Sequence, residues 1–164
     1  MTEHRPATGL IVGRFNPPHL GHSYIIDRAA QQCDDLVVFV NTRAGELVPG
    51  HLRAAWLADL HPDVQVVEVA HDLDTNFDDE ELWAKWMALF RSKWPLPSGP
   101  DAVFSSDPYV GGIAARFGAQ PVVVDADRVA VPISATQVRA APAEHLDRLA
   151  PAVREWVEAN LLGR

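Results

Sequence analysis

The chain has 164 residues, 48% of them apolar, which suits one domain with a sizeable core. Its 14 basic and 22 acidic residues leave a formal charge of −8, so no basic surface marks it for nucleic acid or an anionic membrane. A single cysteine, Cys33, excludes an internal disulfide and a thiol pair for zinc.

The first six residues, Met1 to Pro6, lack the charged start and apolar stretch of a signal peptide. No run approaches the roughly 20 apolar residues that span a bilayer. A soluble, cytoplasmic protein is expected. Leu10 to Val12 forms a short apolar strand stopped by Gly13, and Leu20 to Gln32 carries a helical pattern with Leu20, Tyr24, Ile25 and Ala29 on one face. Cys33 falls beside that pattern and reads as a core or surface thiol.

Leu36 to Val40 is a continuous apolar strand, Leu52 to Leu60 a helix ending before His61-Pro62, and Val64 to Val69 a third strand. Asp79 to Trp94 is a helix with acidic residues in its first turn and basic ones near its end, as the helix dipole favours. Ala102 to Ser105 and Pro121 to Val124 are further strands, with a helix over Tyr109 to Phe117 between them. Helical pieces follow at Thr136 to Ala140, His145 to Leu149 and Ala152 to Leu161.

Strands that alternate with helices and are apolar throughout imply a parallel sheet covered on both faces. A doubly wound, Rossmann-like sheet of about five strands with a helical C-terminal tail is therefore expected. The stretch Pro95 to Pro100 reads as a loop inside this one domain, at the crossover between its halves.

Two segments carry chemistry. Gly13-Arg14-Phe15-Asn16-Pro17-Pro18-His19-Leu20-Gly21-His22 joins the first strand to the first helix, at the carboxyl edge where such sheets bind ligands. Gly13 permits close backbone approach, and a helix starting near Leu20 offers free N–H groups to phosphate oxygens. His19 and His22, three apart, face one side and can donate to a triphosphate. Capping of the helix start is the plainer alternative, and a zinc site would need more ligands. Near the other end, Ser134 and Thr136 present hydroxyls after the last strand, and Arg139 a forked cation suited to phosphate. A capped surface helix with a solvated arginine is the alternative there.

Together the two segments resemble the paired motifs of the HxGH nucleotidyltransferase superfamily. Several further stretches are similar to the NMN adenylyltransferase domain of the bacterial bifunctional NAD-biosynthesis regulators: Val48 to Trp56, Leu82 to Trp86, Val103 to Tyr109, and Val124 to Arg128 running into Val131 to Ser134. The resemblance covers roughly Leu10 to Val157 and implies transfer of AMP from ATP to NMN, giving NAD and pyrophosphate, with Mg²⁺. No G-x-x-x-x-G-K-[ST] segment is present, so the kinase activity of larger members is not expected, nor is their DNA-binding domain.

The roles this implies are catalysis by His19, His22 and Arg139, with the histidines on the ATP phosphates. Ser134, Thr136 and Arg139 would hold the leaving pyrophosphate. Gly13, Arg14 and Phe15 would line the ATP site through backbone groups, main-chain groups at Ile133 would read adenine, and Asp107 would touch the ribose or cap a helix. Mg²⁺ would bridge phosphates without protein ligands. For the acceptor, Trp83 and Trp86 share a helix face, where one could stack on a pyridinium and both could equally pack a core. Asn41 could bond the carboxamide and Arg53 the NMN phosphate. Nicotinate mononucleotide or phosphopantetheine are alternative acceptors, and a non-catalytic nucleotide-binding regulator is a third reading. Homo-oligomers are frequent in the superfamily.

Overall fold

The computed structural model describes residues 5–76, 78–106, 110–125 and 128–162. Strand and helix alternate as β1 (Thr8–Gly13), α1 (Leu20–Ala30), β2 (Asp35–Thr42), α2 (Gly50–Leu60), β3 (Gln65–Ala70), α3 (Glu80–Lys93), β4 (Ala102–Ser105), α4 (Val110–Phe117) and β5 (Gln120–Val123). Helices α5 (Ala135–Ala140) and α6 (Pro151–Leu161) follow, with two short 3-10 turns between them.

The five strands form one parallel sheet in the order β3-β2-β1-β4-β5. The side-chain period of two sends alternate residues of each strand to opposite faces. Leu10, Val37, Phe39 and Val103 therefore pack on one side, against Trp83, Met87 and Phe90 of α3 and Ile113 of α4. Ile11, Val38, Val40 and Phe104 pack on the other, against Ile26 and Ala29 of α1 and Leu57 of α2. Each fully buried side chain of this kind contributes about 1.5–3 kcal/mol of transfer free energy.

The chain walks outward from β1 to β3 with α1 and α2 on one face. It then crosses back over the sheet to β4, and α3 and α4 cover the other face. Right-handed crossovers require that change of side when the direction reverses. The doubly wound sheet expected from the sequence is thus present, and the Pro95 to Pro100 loop lies on the β3-to-β4 crossover.

Local chemistry sets the helix ends. Asp79 caps α3 by accepting from the N–H of Glu81 and Leu82, with Glu80 and Glu81 in the first turn and Arg91 and Lys93 in the last. Pro151 opens α6. The tail forms its own small core of Ile133, Val138, Leu149, Val153 and Val157, joined to α2 by an edge-on contact between Trp56 and Trp156. Cys33 lies just past the end of α1, 1% exposed.

His61, given no role from the sequence, ends α2 and faces Ser23 (Nε2–Oγ 3.2 Å) and Asp27 (Nδ1–Oδ1 3.2 Å) on α1, clasping the two helices. No helix among the described residues is long and apolar enough to cross a membrane.

Candidate active site

The central strand β1 is flanked by β2 and β4, and the chain leaves these two neighbours in opposite directions. A cleft at the carboxyl ends is the geometric consequence. The loop from Gly13 into α1 fills its floor. A side chain on Gly13 would sit 3.0 Å from the Phe15 ring, so only glycine lets that ring fold back. Phe15 adopts φ 52°, a left-handed conformation that the surrounding packing enforces on a buried aromatic. Its ring meets the His22 ring edge-on at 4.7 Å.

His19 and His22 cap α1 reciprocally. The His22 N–H donates to His19 Nδ1 at 3.3 Å, and the His19 N–H donates to His22 Nδ1 at 3.1 Å. The rings stack at 3.6 Å. A Cβ on Gly21 would lie 2.9 Å from the His19 ring, which explains the glycine between them. Because both Nδ1 atoms accept, the proton of each neutral ring sits on Nε2 as a donor. Burial, then the charge of Arg128, lowers the His19 pKa to about 4. Burial, then His19 and Arg128, holds His22 well below the usual imidazole range. Both are neutral donors at pH 7, and His19 Nε2 is buried without a hydrogen-bond partner among the described residues.

The C-terminal segment closes over this floor. Ser134 and Gln137 form a second capping box at α5. Arg139 Nη1 donates to the Asn16 carbonyl at 2.5 Å, across 123 residues of sequence, and Nη2 reaches the Thr136 hydroxyl. Arg128, also in the left-handed region at φ 51°, enters the same cleft and donates to the Ile133 carbonyl. His22, Ser134, Thr136 and the guanidiniums of Arg14, Arg128 and Arg139 thus line one polar pocket of about 250 Å³. Burial and the Arg14 charge lower the Arg139 pKa, so these two cations face each other across it. The arrangement suits a polyanion.

A second pocket of about 150 Å³ lies on the opposite face of the sheet and shares Val12, Gly13 and Arg14 with the first. Trp83, Trp86, Phe90 and Ile113 make it apolar, and its volume is about that of a cavity admitting one benzene-sized ring. Trp86 Nε1 donates to the Asp74 carbonyl, and its ring touches His71 at 4.4 Å. The Arg116 guanidinium lies over the Trp83 ring at 3.9 Å. Asn41 Oδ1 is buried at this pocket and finds no hydrogen-bond partner among the described residues.

Residues 10–141 match the cytidylyltransferase-like family. This chain belongs to that family. It is 31% identical over 115 residues to a nicotinamide-nucleotide adenylyltransferase of Methanoculleus marisnigri, covering 67% of this chain and 64% of that protein. It is 25% identical over 173 residues to the trifunctional NAD biosynthesis/regulator protein NadR of Escherichia coli, covering 90% of this chain and 40% of that one. The chain therefore spans less than two thirds of the length of either relative. A crystal structure of NadR protein in complex with NAD and AMP-PNP has a TM-score of 0.62 at 22% identity, covering 87% of this chain and 44% of that one. At that identity the likeness speaks for the fold, which is that of the cytidylyltransferase-like sheet.

Within this family frame, most residues singled out from the sequence gather at the two pockets; His19, 2% exposed, lies beneath His22 and lines neither, and two others do not behave as expected. Arg53 lines neither pocket. It has no exposed surface, and its donors go to the carbonyls of Val48, Arg14 and Asn41 and to the Glu46 carboxylate. With four of its five N–H donors engaged and no exposed surface, it cannot reach an acceptor phosphate. The Ile133 N–H is occupied by the Val131 carbonyl, and its oxygen already accepts from Arg128, which leaves that oxygen one lone pair for a ligand. Ser134 lines the polar pocket, yet its hydroxyl and N–H both serve the α5 cap. Trp83 and Trp86 meet both readings, being core residues, 7% and 8% exposed, that also wall a pocket. Asp107 lies outside the described residues.

Arg128, Glu46 and Asn16 were not singled out. Arg128 sits in a segment without helical or strand pattern, and Glu46 in a polar loop, so no spacing marks them. Asn16 belongs to the first motif; its buried Oδ1 accepts from the Val48 N–H.

Arg53→Met should destabilise the fold by about 3–5 kcal/mol in urea unfolding, because it leaves three carbonyls unanswered and takes one of two guanidinium partners from Glu46. Arg53→Lys should not restore the loss, since one ammonium cannot reach the same fork of partners. The histidines make a separate prediction. Their folded pKa values lie below the unfolded 6.5, so the unfolded chain binds protons that the native state refuses. Stability should fall as pH drops from about 6.5 towards 4, His19 alone accounting for about 3 kcal/mol at the lower limit. Thermal midpoints of wild type and His19→Gln across that range test this: the variant should show the shallower slope.

Proposed function

We propose that this chain transfers the adenylyl group of ATP to nicotinamide mononucleotide, producing NAD and pyrophosphate. The observation that carries the reading is the meeting of two unlike pockets at Gly13 and Arg14. A cationic cleft that suits a triphosphate adjoins an apolar slot that suits one aromatic ring. The curated relatives named above support the same reaction.

In this reading an acceptor phosphate oxygen attacks the α-phosphorus of ATP in line. A new P–O bond forms as the bond to the bridging β-oxygen breaks, and pyrophosphate leaves with both electrons. The attacking oxygen is already ionised, so no general base is needed and catalysis is alignment plus charge neutralisation. His22 and His19 donate from Nε2 to phosphate oxygens as neutral groups. That role survives near pH 7 because neither ring must be charged to donate. Arg128, Arg139 and Thr136 receive the β- and γ-phosphates, and Arg14 stands where both substrates' phosphates come together.

The donor set of the cleft, guanidiniums, hydroxyls and imidazole N–H groups, fits anionic oxygens. Mg²⁺ would accordingly be held by the triphosphate rather than by side chains, and when bound it offsets phosphate charge. At the acceptor, Trp86 is the better platform for a pyridinium. The Trp83 ring already carries the Arg116 cation, which weakens its attraction for a second one. The ring beside Trp86 is His71, whose pKa burial and Arg43 lower, leaving it neutral. Asn41 Oδ1 then accepts from the carboxamide NH₂, a bond that a nicotinate carboxylate cannot make. A cytoplasmic setting accords with these substrates.

Purified protein with ATP, Mg²⁺ and NMN should release NAD and pyrophosphate, with nicotinate mononucleotide and phosphopantetheine turned over far more slowly in parallel chromatographic assays. Preference for another acceptor would remove NMN, and no turnover of any would remove the enzyme reading. His22→Ala should lower kcat about 10²–10³-fold while the ATP Kd changes little. An unchanged kcat would take His22 out of the transition state.

A further inference from the structure

The loop between β2 and α2 places a carboxylate where no motif marks one. The Glu46 side chain is 10% exposed, and four donor groups converge on it. Oε1 accepts from Arg53 Nη2 at 2.7 Å and from the Arg43 N–H at 2.6 Å. Oε2 accepts from Arg14 Nε at 2.9 Å and lies 2.8 Å from Arg14 Nη2. Burial pushes the Glu46 carboxyl up, but these hydrogen bonds outweigh it and hold the group below the usual carboxylate range. It is an anion at neutral pH.

The two oxygens have different duties. Oε1 is locked on the buried side, because Arg53 has no exposed surface and cannot move without breaking its bonds to three carbonyls. Oε2 meets Arg14, whose side chain is 60% exposed. An arginine that open would ordinarily sample many rotamers, at a cost of up to about 2 kcal/mol to order. Here a forked contact to a fixed carboxylate selects one geometry before any ligand arrives. The geometry chosen places Arg14 on the wall common to both pockets, with Arg139 in the same cleft. Two guanidiniums there repel each other, and Glu46 supplies the compensating charge.

We infer that Glu46 is a positioning residue for the transfer, acting through Arg14: it orients that guanidinium to the junction of the pockets and lets it share the cleft with Arg139. This rests on the adenylyl-transfer reading above, with Arg14 touching the reacting phosphates. The consequence differs from that of an ordinary salt bridge: removing Glu46 should cost stability through Arg53 in any background, but should lower kcat only while Arg14 is present.

A double-mutant cycle tests this with Glu46→Gln, Arg14→Ala and the combination, measuring kcat, both KM values and thermal midpoints. Glu46→Gln should lower kcat about 10- to 100-fold with a smaller change in NMN KM. In the Arg14→Ala background the same change should alter kcat less than about 2-fold. Effects that multiply would overturn the inference, as would an unchanged kcat in the single variant. If Glu46→Gln does not fold, Glu46→Asp, which keeps the charge for Arg53 but draws back from Arg14, takes its place with the same expectation. If wild-type protein transfers nothing to NMN, the acceptor reading fails, and the cycle is read instead by calorimetry on ATP affinity. Weakening of about 5-fold or more in the wild-type background and none in Arg14→Ala would uphold the role of Glu46. Equal weakening in both backgrounds, or none in either, would refute it.

Discussion

A guanidinium without access to water must have its donors answered, and Arg53 answers them with the carbonyls of Arg14, Asn41 and Val48 and with Glu46. Those partners belong to the loop after β1, to the end of β2 and to the loop that enters α2. One side chain therefore ties together the three segments that shape the ligand edge of the sheet. It holds Asn41 at the apolar pocket and the Arg14 main chain between the two pockets. Preorganisation of this kind would let the phosphate groups of the proposed substrates meet a finished surface rather than build one.

The site is assembled against the charge of the whole chain. A net of −8 disfavours any anion at long range, so attraction for the proposed nucleotide would come from cations gathered at short range. Arg14, Arg128 and Arg139 supply it, and Glu46 moderates their mutual repulsion. The histidines contribute without adding charge, because burial and the Arg128 charge keep both neutral while their reciprocal cap keeps both Nε2 atoms as donors. The cost is visible as an unanswered His19 Nε2 and left-handed backbone at Phe15 and Arg128. Strain and unmet polar atoms collect where ligands bind because the rest of the fold can carry them.

Much of this was legible along the chain. Apolar runs such as Leu36 to Val40 announce strands buried on both faces, and β4 falls on the residues expected of it, Ala102 to Ser105. The first motif was legible too, since its glycines, its histidine spacing and its place after a strand are all local. Arg53 shows where such reading stops. In the sequence it is an arginine on a helix, and nothing nearby reveals that the carbonyls of Arg14 and Asn41, from two other segments, converge on it with that of Val48. Arg128 is the converse case, a residue in an unpatterned loop that the fold carries into the cleft.

The sequence by itself determined the alternation of strand and helix, the parallel sheet and the two motif-bearing loops, because these follow from side-chain period and capping within a few residues. Only the tertiary structure decided which cations face the cleft and which are fastened inside, which tautomer each histidine shows, and that Asn41 presents an unanswered oxygen beside two tryptophans. Those properties depend on desolvation and on partners far away in the chain, such as the bond from Arg139 to Asn16 across 123 residues. Burial converts a residue's chemical type into a particular charge and direction, and burial is settled only when the chain has folded.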